Sequence, residues 1–102
     1  MDIDIEKSGD TATLVIDGNI DMDSGHLLSV KIQEVMEMDD VMHVACDLTT
    51  VKTITSSGIG KLMNFYKFMD SKGGTFEIKG ISDNLYKQFM EIHLDRIFPI
   101  NK

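Results

Sequence analysis

One stretch in the middle of the chain, residues 47–60, limits the possible folds more than any other. It begins where an apolar segment ends, at Asp47-Leu48, and it closes on two serines and a glycine, Ser56-Ser57-Gly58. Apolar residues then recur at helical spacing: Ile59, Leu62, Met63, Tyr66 and Met69. The pattern predicts a buried strand, a short connection and a helix that begins at Ser56 or Ser57. A hydroxyl there can cap free backbone N–H groups, and a phosphate added to it would meet the positive end of the helix dipole.

Length and composition are those of one small globular domain. A chain of 102 residues supports one domain, residues 1–102, with one hydrophobic core. Its 42% hydrophobic and 26% charged residues are ordinary for a folded protein. The formal net charge of -7 argues against nucleic acid or an anionic membrane as a partner, because both attract cationic surfaces. Cys46 is the only cysteine, so no internal disulfide can form, and its apolar neighbours predict a small buried side chain.

The sequence contains no apolar run near the roughly 20 residues needed to cross a bilayer. Its first residues, Met1-Asp2-Ile3-Asp4-Ile5-Glu6, alternate acidic and apolar side chains, which is the opposite of the basic and apolar layout of a secretion signal. A cytoplasmic protein is therefore expected.

Alternating patterns and turn residues predict an α/β fold in the order ββαβαβα(β). Strands are predicted over residues 3–7, 11–16, 41–48 and 75–79, with Ile97-Phe98 as a short edge strand, and Ser8-Gly9-Asp10 joins the first two as a hairpin. Helices are predicted over residues 24–38, 57–72 and 83–92; Ser82 caps the last, and Gly73-Gly74 ends the second. The inward-facing residues of the first and third helices are predicted to be Leu28, Ile32, Val35, Leu85, Phe89 and Ile92. Strands that alternate with helices imply right-handed parallel crossovers, so a mixed sheet of four to five strands with packed helices is expected.

Motifs for catalysis and for cofactors are absent from the sequence. His26, His43 and His93 fall in three separate elements, without the spacing of a zinc site. Gly58-Ile59-Gly60 lacks the length and the lysine of a P-loop. The serines do not form a nucleophile elbow, because Thr55 replaces its first glycine, and no histidine is placed to activate them. The sequence predicts a protein that is not an enzyme and that holds no metal or cofactor.

Two groups of acidic residues have structural interpretations. Asp21 and Asp23, with Asp17 nearby, can in principle hold a divalent cation, but the register of an EF-hand is missing and solvated turn carboxylates are the simpler interpretation. Asp47 closes the third strand and is expected to hydrogen-bond the loop that leads to Ser56.

Residues 44–60 resemble the central signature of STAS domains, and in particular of the small bacterial anti-sigma factor antagonists. That signature is an apolar strand ending in Asp-Leu-(Ser/Thr), a short spacer and a Ser-(Ser/Thr)-Gly-(Leu/Ile)-Gly run. Here it appears as Asp47-Leu48-Thr49 followed by Ser56-Ser57-Gly58-Ile59-Gly60. Gly18-Asn19-Ile20-Asp21, Gly73-Gly74 and Leu94-Asp95-Arg96-Ile97-Phe98 also match the family's layout, so the likeness covers essentially the whole chain.

The resemblance implies a regulatory switch. In this family the unphosphorylated antagonist binds an anti-sigma factor, often itself a serine kinase, and frees the sigma factor. The kinase phosphorylates the serine directly before the glycine, which is Ser57 here, with Ser56 and Thr55 as alternative acceptors, and the complex separates. A PP2C-type phosphatase restores the active form. Asp21 matches a family carboxylate near the phosphorylation site that helps to shape the partner-binding surface.

One position departs from the family pattern. Family members commonly carry an aspartate two residues before the phosphorylated serine, where this chain has Thr55. The change removes a negative charge and leaves a shorter neutral hydroxyl, so it bears directly on recognition by the kinase.

The partner-binding surface is predicted to comprise Asp21, Ser56, Ser57, Gly58, Lys61 and Phe65. Gly58 would let another backbone or a modifying group approach closely. Phe65 and Phe68 fall on the flank of the second helix, where exposed aromatics would suit a partner; the alternative is that they pack against the third helix or the C-terminus. A free monomer is expected. Two rival functions stay open. One is a constitutive binding or scaffold module of the same fold in a non-sigma signalling circuit, in which Ser57 is only a helix cap. The other is an enzyme that uses a cleft between Asp21 and Ser57 for phosphoryl or nucleotide chemistry.

Overall fold

The computed structural model describes residues 1–21 and 23–102. Over these residues it contains five strands, three α-helices and one short 3-10 helix. The strands are β1 (Asp2–Ser8), β2 (Thr11–Asp17), β3 (His43–Leu48), β4 (Thr75–Ile81) and β5 (Ile100–Asn101). The helices are α1 (Gly25–Met36), α2 (Ser56–Ser71) and α3 (Asp83–Glu91), and the 3-10 helix is Leu94–Arg96. None of these helices is both long enough and apolar enough to cross a bilayer.

The strands form one mixed sheet in the spatial order β1-β2-β3-β4-β5. β1 and β2 are an antiparallel hairpin, whose turn contains Gly9 with a φ of 60°. The strands from β2 to β5 pair in parallel. Each parallel connection steps in the same direction along the sheet, so right-handed crossovers place α1, α2 and α3 on one face. The predicted α/β fold and its order of elements are confirmed.

The core lies between that face of the sheet and the helices. Alternate residues of β2 are buried, as the two-residue period of a strand requires: Ala12, Leu14 and Ile16. The buried face of α1 is the predicted one: Leu28, Ile32 and Val35. Cys46 is fully buried, and burial raises the pKa of its thiol to about 12, so it packs as a neutral apolar side chain.

Phe65 does not lie where the sequence placed it. Its side chain is 1% exposed, and its ring meets the ring of Phe76 in β4 edge-on, with 5.4 Å between the centroids. Phe76 contacts Phe98 in the same way at 5.0 Å. The prediction that Phe65 belongs to a partner-binding surface is therefore wrong, because its ring is an interior contact between α2 and the sheet. Phe68 is partly buried, with Lys72 Nζ 5.8 Å from its ring centroid.

The glycine pair ends α2 as predicted. Gly73 has a φ of 82°, a backbone conformation that favours glycine. Its N–H donates to the Asp70 carbonyl at 3.1 Å, and the Gly74 N–H donates to the Met69 carbonyl at 2.8 Å. This Schellman arrangement satisfies carbonyls of the last helical turn and directs the chain into β4.

The end of the chain differs from the prediction in two details. Ile92 is 49% exposed rather than inward-facing, because α3 ends at Glu91 and Ile92 forms its C-cap. Ile97-Phe98 is not the closing strand. Phe98 is buried after the 3-10 turn that follows His93, and β5 forms later, where Ile100 pairs with Ile78 of β4.

Candidate functional site

Two loops meet at the edge of the sheet where β2 and β3 end. Because these strands are parallel, the connections that follow them leave from the same edge, and α1 and α2 both begin there. Ile20 and Ile54 pair as an isolated parallel bridge. The Ile20 N–H donates to the Thr53 carbonyl at 3.1 Å, and the Thr55 N–H donates to the Ile20 carbonyl at 3.0 Å. The bridge holds the start of α1 beside the start of α2.

The loop that leads into α2 is fixed by side chains at both ends. Asp47 accepts hydrogen bonds from the N–H and the hydroxyl of Thr49, at 3.0 and 2.6 Å, which confirms its predicted contact with this loop. Asn19, from the loop after β2, accepts from the N–H groups of Lys52 and Thr53 at 3.1 and 3.3 Å. These contacts tie the loop before α2 to the end of β3 and to the loop after β2.

α2 begins at Ser56 and is capped by Thr55. The Thr55 backbone is extended, and its hydroxyl accepts a hydrogen bond from the Gly58 N–H at 3.1 Å. Ser57 lies in the first turn and is exposed. The alternative in which Ser57 is the helix cap is therefore wrong. The threonine that departs from the family pattern performs the capping, and an aspartate at this position could accept the same hydrogen bond.

Replacing Thr55 with alanine is expected to lower the free energy of unfolding by about 1 kcal/mol, because the Gly58 N–H loses its acceptor. Thr55→Asp keeps an acceptor and adds a negative charge at the N-terminus of α2, so its stability should equal or exceed that of the wild type. Urea unfolding of the three proteins measures the difference. Wild-type stability in Thr55→Ala would show that the hydroxyl does not cap the helix.

Gly58 faces the interior and not a partner. A Cβ built on it would lie 2.7 Å from Ile54 Cγ1 and 2.9 Å from Ile20 Cγ2. The missing side chain lets α2 sit close against the bridge between the two loops. Gly58 is buried, so its predicted place in the partner-binding surface is corrected.

Two glycines of α2 offer a matched test of this packing. Gly58→Ala is expected to lower the free energy of unfolding by about 1–2 kcal/mol, because overpacking of about 1–3 kcal/mol outweighs the gain in helix propensity. A Cβ on Gly60 would meet nothing within 4 Å, so Gly60→Ala should instead stabilise the protein by up to about 1 kcal/mol. Thermal unfolding distinguishes them, and equal effects of the two substitutions would contradict the packing described for Gly58.

Asp21 forms hydrogen bonds with Ser24, the residue that precedes α1. Its carboxylate accepts from the Ser24 hydroxyl at 2.8 Å and from the Ser24 N–H at 3.0 Å, and its own N–H donates to Ser24 Oγ at 2.9 Å. The hydroxyl bond, and then the N–H bond, hold the pKa of the Asp21 carboxyl below its usual value. Asp21 is exposed and carries its negative charge at neutral pH.

A pocket of about 190 Å³ lies between the starts of α1 and α2. Its lining is Asp21, Gly25, His26, Thr55, Ser57 and Lys61. The structure thus brings together three of the predicted partner-binding residues, from two segments far apart in the sequence, and Ser56 is exposed next to them. Sequence reasoning missed Gly25 and His26, because no local pattern connects the first turn of α1 with α2; only the parallel pairing of β2 and β3 does.

The chemistry of the pocket centres on the Ser57 hydroxyl. Its oxygen accepts a hydrogen bond from the Lys61 ammonium at 3.0 Å. An ammonium is a donor and does not take the hydroxyl proton, so this contact does not activate the serine as a nucleophile. The first N–H groups of a helix have no intrahelical acceptor, and they favour an anion at this end of α2. The site is therefore suited to hold a negatively charged group.

Two of the three carboxylates that could form a cation site are hydrogen-bonded to hydroxyl groups instead. The Asp17 carboxylate accepts from the Thr50 hydroxyl at 2.9 Å, Asp21 binds Ser24, and Asp23 is exposed. Within residues 1–21 and 23–102, no three His, Cys, Asp or Glu side chains are grouped to hold a metal ion.

Known proteins resemble the chain over nearly its full length. It is 22% identical over 102 residues to the anti-sigma F factor antagonist of Paenibacillus polymyxa, and the alignment covers 98% of this chain and 87% of that protein. An anti-sigma factor antagonist from Mycobacterium paratuberculosis superposes with a TM-score of 0.85 at 22% identity, covering 98% of this chain and 84% of that one.

The Bacillus cell fate determinant SpoIIAA, an anti-sigma factor antagonist, has the same fold. Its phosphorylated form superposes with a TM-score of 0.76 at 16% identity, covering 99% of this chain and 92% of that one. Its unphosphorylated form gives a TM-score of 0.82 at the same identity, covering 99% and 89%. The sequence model of the STAS domain matches residues 2–102. This chain belongs to the STAS domain family.

Proposed function

We propose that this chain is an anti-sigma factor antagonist that acts by partner switching. Unphosphorylated, it binds an anti-sigma factor that is also a serine kinase; phosphorylation of Ser57 releases that partner, and a PP2C-type phosphatase reverses the modification. The observation that carries the proposal is the exposed Ser57 hydroxyl, held in one pocket with Asp21 at the start of α2. The relatives named as anti-sigma factor antagonists support the same function. The chain would act by binding, without catalysis of its own, and in the cytoplasm.

The proposed modification is an ordinary phosphoryl transfer. The kinase moves the γ-phosphoryl group of a nucleoside triphosphate to Ser57 Oγ; a new P–O bond forms, the bond to the nucleoside diphosphate breaks, and the hydroxyl proton leaves to the kinase. Hydrolysis by the phosphatase returns the serine and inorganic phosphate. The group adds about -1.5 to -2 charges and three acceptor oxygens at neutral pH.

The free protein tolerates this group better than a complex would. In solution the phosphate stays hydrated at the N-terminus of α2, where a negative charge is favourable by about 0.3–1 kcal/mol. In a close interface the phosphate must lose water and find space. A penalty of about 4 kcal/mol would weaken binding roughly a thousandfold.

The switch requires no refolding. Thr55, and not Ser57, supplies the helix cap, so a phosphate on Ser57 leaves the hydrogen bond to the Gly58 N–H in place. The Ser57 side chain is exposed, so the new group displaces no buried contact. Phosphorylation would therefore change partner binding through the charge and the shape of the surface around Ser57.

A quantitative pull-down from the native cell lysate tests the proposal. The baits are the wild type, Ser57→Ala and Ser57→Asp, and captured proteins are identified by mass spectrometry. We expect the wild type and Ser57→Ala to capture a serine kinase of the anti-sigma type, and Ser57→Asp to capture much less. Equal capture by all three baits would reject the phosphorylation switch in favour of a constitutive binding module, and turnover of a nucleotide by the purified chain alone would indicate an enzyme.

A further inference from the structure

Lys61 already contacts the atom that would carry the phosphate. Its Nζ donates a hydrogen bond to Ser57 Oγ at 3.0 Å, one helical turn further along α2. In the part of the chain that the structure describes, Lys61 forms no ion pair with a carboxylate. An ammonium has three N–H donors, so it can serve several acceptor oxygens at once. A phosphoryl group on Oγ would bring three such oxygens to it.

We infer that Lys61 is the counter-ion of phosphorylated Ser57 and sets the charge state of that phosphate; this inference rests on the proposed phosphorylation of Ser57. An anion at one position of a helix and a lysine four residues later is the favourable order for such a pair. The Lys61 ammonium already lies at Ser57 Oγ. A rotation of the lysine side chain would bring it to the three terminal oxygens of a phosphoryl group on that atom. No movement of the backbone is needed.

The charge of Asp21 gives a cation at Lys61 a further role. Asp21 lines the pocket from the segment before α1 and is negatively charged, so it opposes a phosphate at Ser57. His26 lines it from the first turn of α1. Gly25 lies beside the ammonium at van der Waals distance, since a Cβ built on it would lie 4.0 Å from Lys61 Nζ. Lys61 is the lysine of this lining, and its positive charge opposes the repulsion between the Asp21 carboxylate and a phosphate on Ser57.

The pairing has a consequence for signalling. The second ionisation of a phosphoserine has a pKa near 6, and a bound ammonium favours the doubly charged form. Lys61 would therefore keep phosphorylated Ser57 in its dianionic state at neutral pH. The same lysine would balance part of the charge of a single carboxylate at position 57. Ser57→Asp should then be a weaker mimic of phosphorylation in the wild type than in a Lys61→Gln background.

The test is a ³¹P NMR pH titration of protein that carries phosphoserine at position 57, installed during translation. The proteins are the wild type, Lys61→Gln and Lys61→Arg, with Lys67→Gln as the matched control. Lys67 is exposed on the same helix and lies about 15 Å along the helix axis from Ser57, which exceeds the Debye length at physiological salt. Circular dichroism confirms that each variant is folded.

We expect the titration midpoint of the phosphate in Lys61→Gln to lie about half a pH unit above the wild-type midpoint, as loss of one nearby unit charge in a largely aqueous setting implies. Lys61→Arg should restore the wild-type midpoint, and Lys67→Gln should not move it. Equal midpoints in the wild type and Lys61→Gln, or an equal shift in Lys67→Gln, would overturn the inference. Because no kinase is used, this result is independent of the pull-down, and failure to capture a partner would reject the proposed function alone.

Discussion

Replacing Ser57 with aspartate is expected to weaken binding to the anti-sigma factor by at least about tenfold, or about 1.4 kcal/mol. The carboxylate would have to lose its water in the interface, and Lys61, which donates to position 57 at 3.0 Å, would balance only part of the charge. The folded state should hardly change, because an exposed acid in the first turn of a helix is neutral or slightly favourable. Titration calorimetry with the purified partner and urea unfolding measure the two effects separately.

Two control variants make this prediction specific. Ser57→Ala removes the hydroxyl without adding charge and should bind like the wild type. Ser71→Asp adds the same charge at the far end of α2, on an exposed residue, and should also bind normally. Equal weakening by Ser57→Asp and Ser71→Asp would mean that net charge, and not the pocket, controls binding.

Replacing Phe65 with alanine is expected to lower the free energy of unfolding by about 3–5 kcal/mol, the range for deleting a buried aromatic side chain. Phe65 is 1% exposed and packs edge-on against Phe76, so its removal leaves a cavity between α2 and the sheet. Phe68→Ala, three residues further along and only partly buried, should have a clearly smaller effect. Urea unfolding measures both changes.

A measurement of partner binding distinguishes a core role of Phe65 from a role in the binding surface. If its ring belongs to the core, Phe65→Leu, which fills most of the volume, should remain folded and bind the partner with wild-type affinity. Wild-type stability in Phe65→Ala together with a loss of partner binding would contradict the interior position and would return Phe65 to the binding surface.

Local signals were sufficient for most elements of the fold. The hairpin at Gly9, the glycine pair after α2 and the Ser82 cap of α3 all occur where turn and capping residues predict them; the Ser82 hydroxyl accepts from the Leu85 N–H at 3.3 Å. Each of these features depends on residues adjacent in the sequence. The prediction of a parallel sheet followed from the alternation of such elements.

Features that depend on tertiary contacts were not predictable in the same way. A period of 3.6 residues defines a face of α2 only approximately, so the pattern predicts Phe65 on the flank of the helix although its ring packs inward. A two-residue strand such as β5 carries no periodic signal, and its place was decided by the burial of Phe98 before it. The same holds for the site. The family resemblance predicts Ser57 and Asp21 as site residues, whereas the place of His26 in the pocket depends on the parallel pairing of β2 and β3.

The most direct test of partner switching is a comparison of two affinities. Unmodified protein and protein with phosphoserine installed at position 57 are titrated calorimetrically into the purified anti-sigma factor, at the same pH and salt concentration. We predict measurable binding of the unmodified protein and roughly a thousandfold weaker binding of the phosphorylated one. Equal dissociation constants for the two forms would contradict the central claim that phosphorylation of Ser57 releases the partner.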